Sequence, residues 1–111
     1  MPGLIDIMSQ PVQKRDGQIC IAGELMMHTA EEIRPLLLAS LPTDGTVAHL
    51  DLSQVTEIDT AGLQLLLAAH RETKCRGASL LVVAASGAVV DVLQLARQSS
   101  LLRAADSGAP T

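Results

Sequence analysis

The chain contains no phenylalanine, tyrosine or tryptophan among its 111 residues. Proteins that grip single-stranded nucleic acid mostly stack bases on aromatic rings, so that mode of binding is excluded. The charge agrees. Eight Lys and Arg stand against twelve Asp and Glu, a net of −4, and the basic residues form no dense run. Nucleic acid is therefore not an expected ligand. Cysteine is scarce too. Cys20 and Cys75 lie far apart, no CxxC or paired Cys/His spacing occurs, and His28, His49 and His70 are scattered singly. Neither a disulfide nor a metal site is expected. Cys20 reads as a small apolar strand residue and Cys75 as a helix-end residue. No apolar run reaches the roughly 18–20 residues that span a bilayer. Residues Met1 to Gln10 have no basic flank and no apolar segment of signal-peptide length. A cytoplasmic protein with no direct membrane insertion is expected.

What the chain does have is aliphatic residues. Hydrophobic types make up 48% of it, enough for one core built from Leu, Val, Ile, Ala and Met. Domains commonly run to roughly 100–150 residues, so a single domain over residues 1–103 is expected. Residues 104–111, small, polar and Pro-ending, read as a loose tail.

The opening reads as a β-hairpin: Ile5 to Val12, a turn at Lys14-Arg15-Asp16-Gly17, then a strand from Gln18 to Glu24. Thr29-Ala30-Glu31-Glu32 has the form of a capping box. It predicts a helix from about Ala30 to Ser40, with Ile33, Leu36 and Leu37 on one face and Pro35 as an interior blemish. Thr46 to Leu52 is the clearest central strand, with Asp51 near its carboxyl end. A long helix follows Asp59-Thr60-Ala61-Gly62. Its Leu63, Leu66, Leu67 and His70 fall at helical spacing, Lys74 and Arg76 suit its C-terminal dipole, and Gly77 stops it. Ser79 to Ala84 reads as a parallel strand buried on both faces. Ala88 to Gln98 reads as a helix with Val89, Val92, Leu93 and Ala96 on one stripe, and Leu101-Leu102 as a short strand or docking segment. The order is β-β-α-β-α-β-α. This is an α/β fold with a mixed central β-sheet and helices packed on it.

The stretch from Leu50-Asp51-Leu52-Ser53 through Glu57-Ile58-Asp59-Thr60-Ala61-Gly62-Leu63-Gln64 resembles the signature of STAS domains, the sulphate transporter and anti-sigma factor antagonist family. That signature is a strand ending in Asp, a Ser or Gly soon after, an Ile-Asp-Ser/Thr-x-Gly-Leu turn, and a helix. Upstream, Ala22-Gly23-Glu24-Leu25 resembles the family's early Gly-Glu-Leu segment. Downstream, Leu80 to Val83 and Val89 to Leu93 match its last strand and helix in position. The resemblance implies a STAS fold and a regulatory protein, not an enzyme, acting by reversible binding and needing no cofactor. In anti-sigma factor antagonists the hydroxyl residue after the Asp of this turn is phosphorylated by a partner kinase. That position is Thr60 here, where Ser is usual. The implied partners are an anti-sigma, serine/threonine kinase-like protein and a phosphatase. Chemotaxis-linked signalling is a variant of the same idea. The implied contact residues are Asp51, Ser53, Asp59, Thr60, Ala61, Gly62, Leu63 and Gln64.

Physical chemistry gives Thr60 a second meaning. It is expected at the N-cap of its helix, where loss of the hydroxyl costs about 0.5–2 kcal/mol. Phosphate there would gain roughly 0.3–1 kcal/mol from the helix dipole, while Asp59 and Asp51 would repel it. The result would be a surface-charge switch that leaves the fold alone. Gly62 reads as a small residue that lets the first turn pack closely on a strand. Asp51 and Asp59 read as solvated strand-end and turn carboxylates, or, equally, Asp59 helps present Thr60 and touches the partner or its metal-bound nucleotide.

Other chemistries lack their parts. A phospho-accepting receiver domain needs an acidic pair after its first strand and a Lys after a late one. Here Lys14-Arg15-Asp16 and Ala85-Ser86-Gly87 occupy those places. No Gly-x-Ser-x-Gly elbow or Gly-rich phosphate loop occurs. A second binding role stays open. Small stand-alone STAS proteins with Thr at this position also resemble the accessory subunit that docks on the ATPase of lipid-transport ABC systems.

Overall fold

The computed structural model describes residues 11–15 and 17–97. Its elements follow the expected order: β1 (Val12–Arg15), β2 (Gln18–Leu25), α1 (Met27–Ser40), β3 (Val47–Ile58), α2 (Thr60–Cys75), β4 (Ser79–Ala85) and α3 (Gly87–Leu95). The four strands lie side by side in chain order. β1 is antiparallel to β2, and β2, β3 and β4 are mutually parallel. Each parallel step needs a crossover, and α1 and α2 supply the two.

Strand alternation sets the core. Ile19, Ile21 and Leu25 of β2, Ala48, Leu50 and Leu52 of β3, and Leu80 and Val82 of β4 are buried. They join Ile33 and Leu37 of α1, Leu65, Leu66 and Ala69 of α2, and Val89 and Leu93 of α3 in one cluster. The inward positions of β3 then shift from Leu52 to Val55. Pairing explains the shift: Cys20 faces Asp51 and Ala22 faces Gln54, so Leu52 and Ser53 of β3 together oppose Ile21 of β2 in a β-bulge.

Several sequence expectations are corrected. Lys14 and Arg15 belong to β1, with Arg15 paired to Gln18, and not to the turn. β3 does not end at Leu52 but runs twelve residues to Ile58, so Asp51 is interior to it. β4 is not buried on both faces. Leu81 is 40% exposed and Val47, on the neighbouring strand β3, 49%, because none of the described helices covers that side of the sheet there. α1 starts at Met27, earlier than expected, and continues through Pro35. Glu31 and Pro35 are both exposed, so the Glu31 carbonyl that loses its amide partner reaches water. Leu36, expected on the core face, is 38% exposed. On α2 the buried stripe is Gly62, Leu63, Leu65, Leu66, Ala69 and Thr73, while Leu67 and His70 are half-buried. Residues 5–10 of the strand expected over Ile5 to Val12, the Leu101-Leu102 segment, the domain limit at residue 103 and the tail over 104–111 lie outside the described residues.

Candidate functional site

Leu25 ends β2 and pairs with Ile58, which ends β3. Each strand passes into a helix within two residues, so α1 and α2 begin next to each other at the same edge of the sheet. Four unpartnered N–H groups and the positive end of a helix dipole occur at each start. One carboxylate serves both. Asp59 is the N-cap of α2. Its Oδ1 accepts the N–H of Gly62 at 3.1 Å and its Oδ2 accepts the N–H of Met27 at 3.0 Å. The N–H groups of Met27 and Gly62, in that order, hold the Asp59 carboxyl below its ordinary value. Desolvation opposes them, and the amides of Ala61 and Asp59 itself add to them.

Gly62 fixes how closely α2 approaches. A methyl group at its Cα would overlap the carbonyl oxygen of Leu25 and come within 2.9 Å of the Ile58 and Leu25 side chains. That same Leu25 carbonyl accepts the Asp59 N–H at 3.3 Å. The close-packing reading of Gly62 therefore holds, and its partner is the end of β2.

The cap assignment is corrected. Asp59, not Thr60, is the N-cap, because its short carboxylate reaches the N–H of the third residue on. Thr60 is the first residue within α2. It is exposed, and its hydroxyl bonds no other group among the described residues. The capping box at α1 is corrected too. Thr29 lies in the third helical position, and its Oγ1 accepts the N–H of Met26 at 2.9 Å and donates to the carbonyl of Glu24 at 2.8 Å. Glu32 takes no part. One turn along, His28 Nε2 lies 2.9 Å from Glu24 Oε1.

The residues singled out in the sequence divide into three groups. Asp59, Thr60, Ala61 and Gln64 form the accessible part of the α2 start. Gly62 and Leu63 are buried beneath it and seat the helix. Asp51 and Ser53 stand apart, roughly 20–26 Å of extended strand before Asp59. Asp51 Oδ1 accepts the N–H of Ser53 at 2.9 Å and its hydroxyl at 2.6 Å, at the β-bulge. This pair satisfies an irregular stretch of strand.

Sequence reasoning missed a groove beside Thr60. It lies between α1 and α2, with a volume of about 430 Å³. Met27, Arg34, Gln64 and Arg71 stand along it over Ala30 and Ala68. The signal was present in the helical spacing of Met27, Ala30 and Arg34, and of Ala61, Gln64, Ala68 and Arg71. No group of His, Cys, Asp and Glu suited to hold a metal occurs among the described residues, and none of their helices is long and apolar enough to cross a membrane.

Residues 8–103 match a family model described as Mlab, STAS domain. Solved structures share the fold. A Thermotoga maritima protein provisionally assigned as an anti-sigma factor antagonist is 18% identical, with 85% of this chain and 83% of that one covered at a TM-score of 0.65. An anti-sigma factor antagonist from Mycobacterium paratuberculosis is 24% identical, with 80% and 77% covered at 0.64. The anti-sigma factor antagonist SpoIIAA in its unphosphorylated form is 20% identical, with 76% and 80% covered at 0.56. At these identities the likeness establishes the architecture.

Proposed function

The chain belongs to the STAS family, and from that premise we propose that it is an anti-sigma factor antagonist-like regulatory protein, switched by phosphorylation of Thr60. The unmodified protein binds a kinase-type partner through the start of α2. Phosphate on Thr60 ends the binding, and a phosphatase restores it. Chemotaxis-linked signalling is a variant. The protein works by association and not by catalysis.

The observation that carries this reading is the division of labour between Asp59 and Thr60. Asp59 takes the capping bonds, which leaves the neighbouring hydroxyl exposed and, among the described residues, unbonded. A kinase can therefore reach Thr60 without opening the helix. The phosphate, carrying close to two negative charges, then meets amides that already donate to the Asp59 carboxylate. It stays on the surface and changes the charge of the face, not the fold.

A second reading is that the same face docks on the ATPase of a lipid-transport ABC system. Thr in place of the usual Ser at position 60, together with the match to the Mlab kind of STAS domain, favours it. The test is mass spectrometry of the protein recovered from its native cells, with co-purifying proteins identified in the same run. Phosphate on Thr60 beside a kinase-like partner supports the switch. Unmodified Thr60 beside an ABC ATPase overturns it in favour of the accessory role.

A further inference from the structure

The groove between α1 and α2 adjoins the Thr60 face, since Ala61 and Gln64 belong to both. Its charge is opposite in sign to the net charge of the chain. The protein carries a net charge of −4, yet this groove holds two guanidinium groups, Arg34 on α1 and Arg71 on α2, against the single carboxylate of Glu31. Both arginines are exposed, and neither forms an ion pair among the described residues, where the pairs are His28–Glu24 and Arg76–Glu72. Small side chains, Ala30, Ala61 and Ala68, leave the space between the helices open. Met27, at 73% exposure, offers an adaptable apolar side chain at one end.

We propose that this groove receives an acidic amphipathic helix of the partner protein, whose aliphatic side chains lie over the alanines and whose carboxylates pair with Arg34 and Arg71. A helix laid in a groove between two others is a common mode of recognition, and arginine holds carboxylates in a forked geometry that lysine lacks. The proposal rests on the partner-binding reading above and gives it a direction. Phosphate on Thr60 would stand at the edge of the groove, close to carboxylates of the bound helix, and like charges would drive the helix out. An arginine-rich partner segment would instead be drawn in by the phosphate.

The test uses the full chain and, as probe, the protein that co-purifies with it from native cells, once identified and purified. A photo-crosslinking p-benzoylphenylalanine replaces Gln64, and the double variant Arg34→Glu/Arg71→Glu is titrated beside wild type. The expected crosslink lies in a helical, Asp- and Glu-rich segment of the partner. The double variant loses at least about tenfold in affinity, with its melting temperature near that of wild type, and wild-type binding weakens as salt rises. A crosslink into a segment without carboxylates, a crosslink into a second copy of this chain, or unchanged affinity of the double variant overturns the proposal. The switch is tested separately by Thr60→Glu. If that variant binds normally while the charge reversal abolishes binding, the groove stands and the Thr60 switch falls. The opposite pattern removes the groove and keeps the switch.

Discussion

The Asp59 carboxylate accepts the backbone N–H of Met27, thirty-two residues earlier in the chain, at 3.0 Å. With the Gly62 N–H on its other oxygen, it ties the first turns of α1 and α2 to each other. Two consecutive crossover helices thus share one anionic cap, and the exposed face between them is held in a fixed geometry.

This bond makes stability depend on pH in a predictable sense. The folded protein holds the Asp59 carboxyl below its ordinary 3.8. A depressed folded value means that the ionised group stabilises the fold fully above the unfolded value, and that the contribution is lost as pH falls through the folded value. Asp59→Asn keeps one carbonyl acceptor but removes the charge. Thermal melts of this variant and wild type should differ at pH 7, with wild type higher, and the gap should narrow as pH falls below 3.8 through the lowered folded value. A gap that stays constant over that range would show that the charge of Asp59 contributes nothing.

Gly62→Ala should destabilise the protein by at least about 1–3 kcal/mol in urea titrations, the usual cost of overpacking. In an open helix interior the same change is favourable by roughly 1 kcal/mol. Here the added methyl group overlaps the Leu25 carbonyl oxygen, so sterics outweigh propensity. Gly87→Ala is the control. It lies at the start of α3, and among the described residues the added carbon meets nothing within 4 Å beyond its chain neighbours and its own helix backbone, so it should be neutral or stabilising by about 0.4–1 kcal/mol. Similar effects at the two sites would contradict the proposed close approach of α2 to β2.

Much of this was legible in the sequence. Alternating strand and helix patterns gave the order of elements, and Asp59-Thr60-Ala61-Gly62 marked the start of α2 because capping and close-packing residues have few other uses in that order. Three kinds of detail were not legible. Bulges in β3 depend on the partner strand, so Leu52 and Val55 could not be placed on one face by counting. The helix-free side of the sheet at Leu81 depends on which side the crossovers take, and a run of four apolar residues hides it. The cap on α1 comes from Asp59, on another element, so no local motif could reveal it, and the nearby Thr-x-x-Glu pattern at Thr29 pointed elsewhere.

Adjacent leucines in α1 separate periodicity from burial. Leu37 is fully buried and Leu36 is 38% exposed. Leu37→Ala should cost about 2–5 kcal/mol, as large-to-small core changes do. Leu36→Ala should cost well under half of that. Equal losses in urea melts would mean that the helix is rotated from the orientation described.

Three threonine variants decide between Thr60 as support and Thr60 as signal. Thr29 Oγ1 joins the amide of Met26 to the carbonyl of Glu24, so Thr29→Ala should lose about 0.5–1.5 kcal/mol, the net worth of such a hydrogen bond. Thr60 is exposed and its side chain bonds nothing among the described residues. Thr60→Ala should therefore stay within about 0.5 kcal/mol of wild type, because Asp59 already caps the helix. Thr60→Glu should also keep the far-UV spectrum and melting temperature, since a carboxylate at a helix start is tolerated by the dipole. Its binding to the native partner should nonetheless fall in titration calorimetry. Stability and binding falling together in Thr60→Glu would mark Thr60 as a structural residue. Binding falling alone is the behaviour of a surface switch, in which the charge acts on the partner and the fold serves only to hold the hydroxyl in reach.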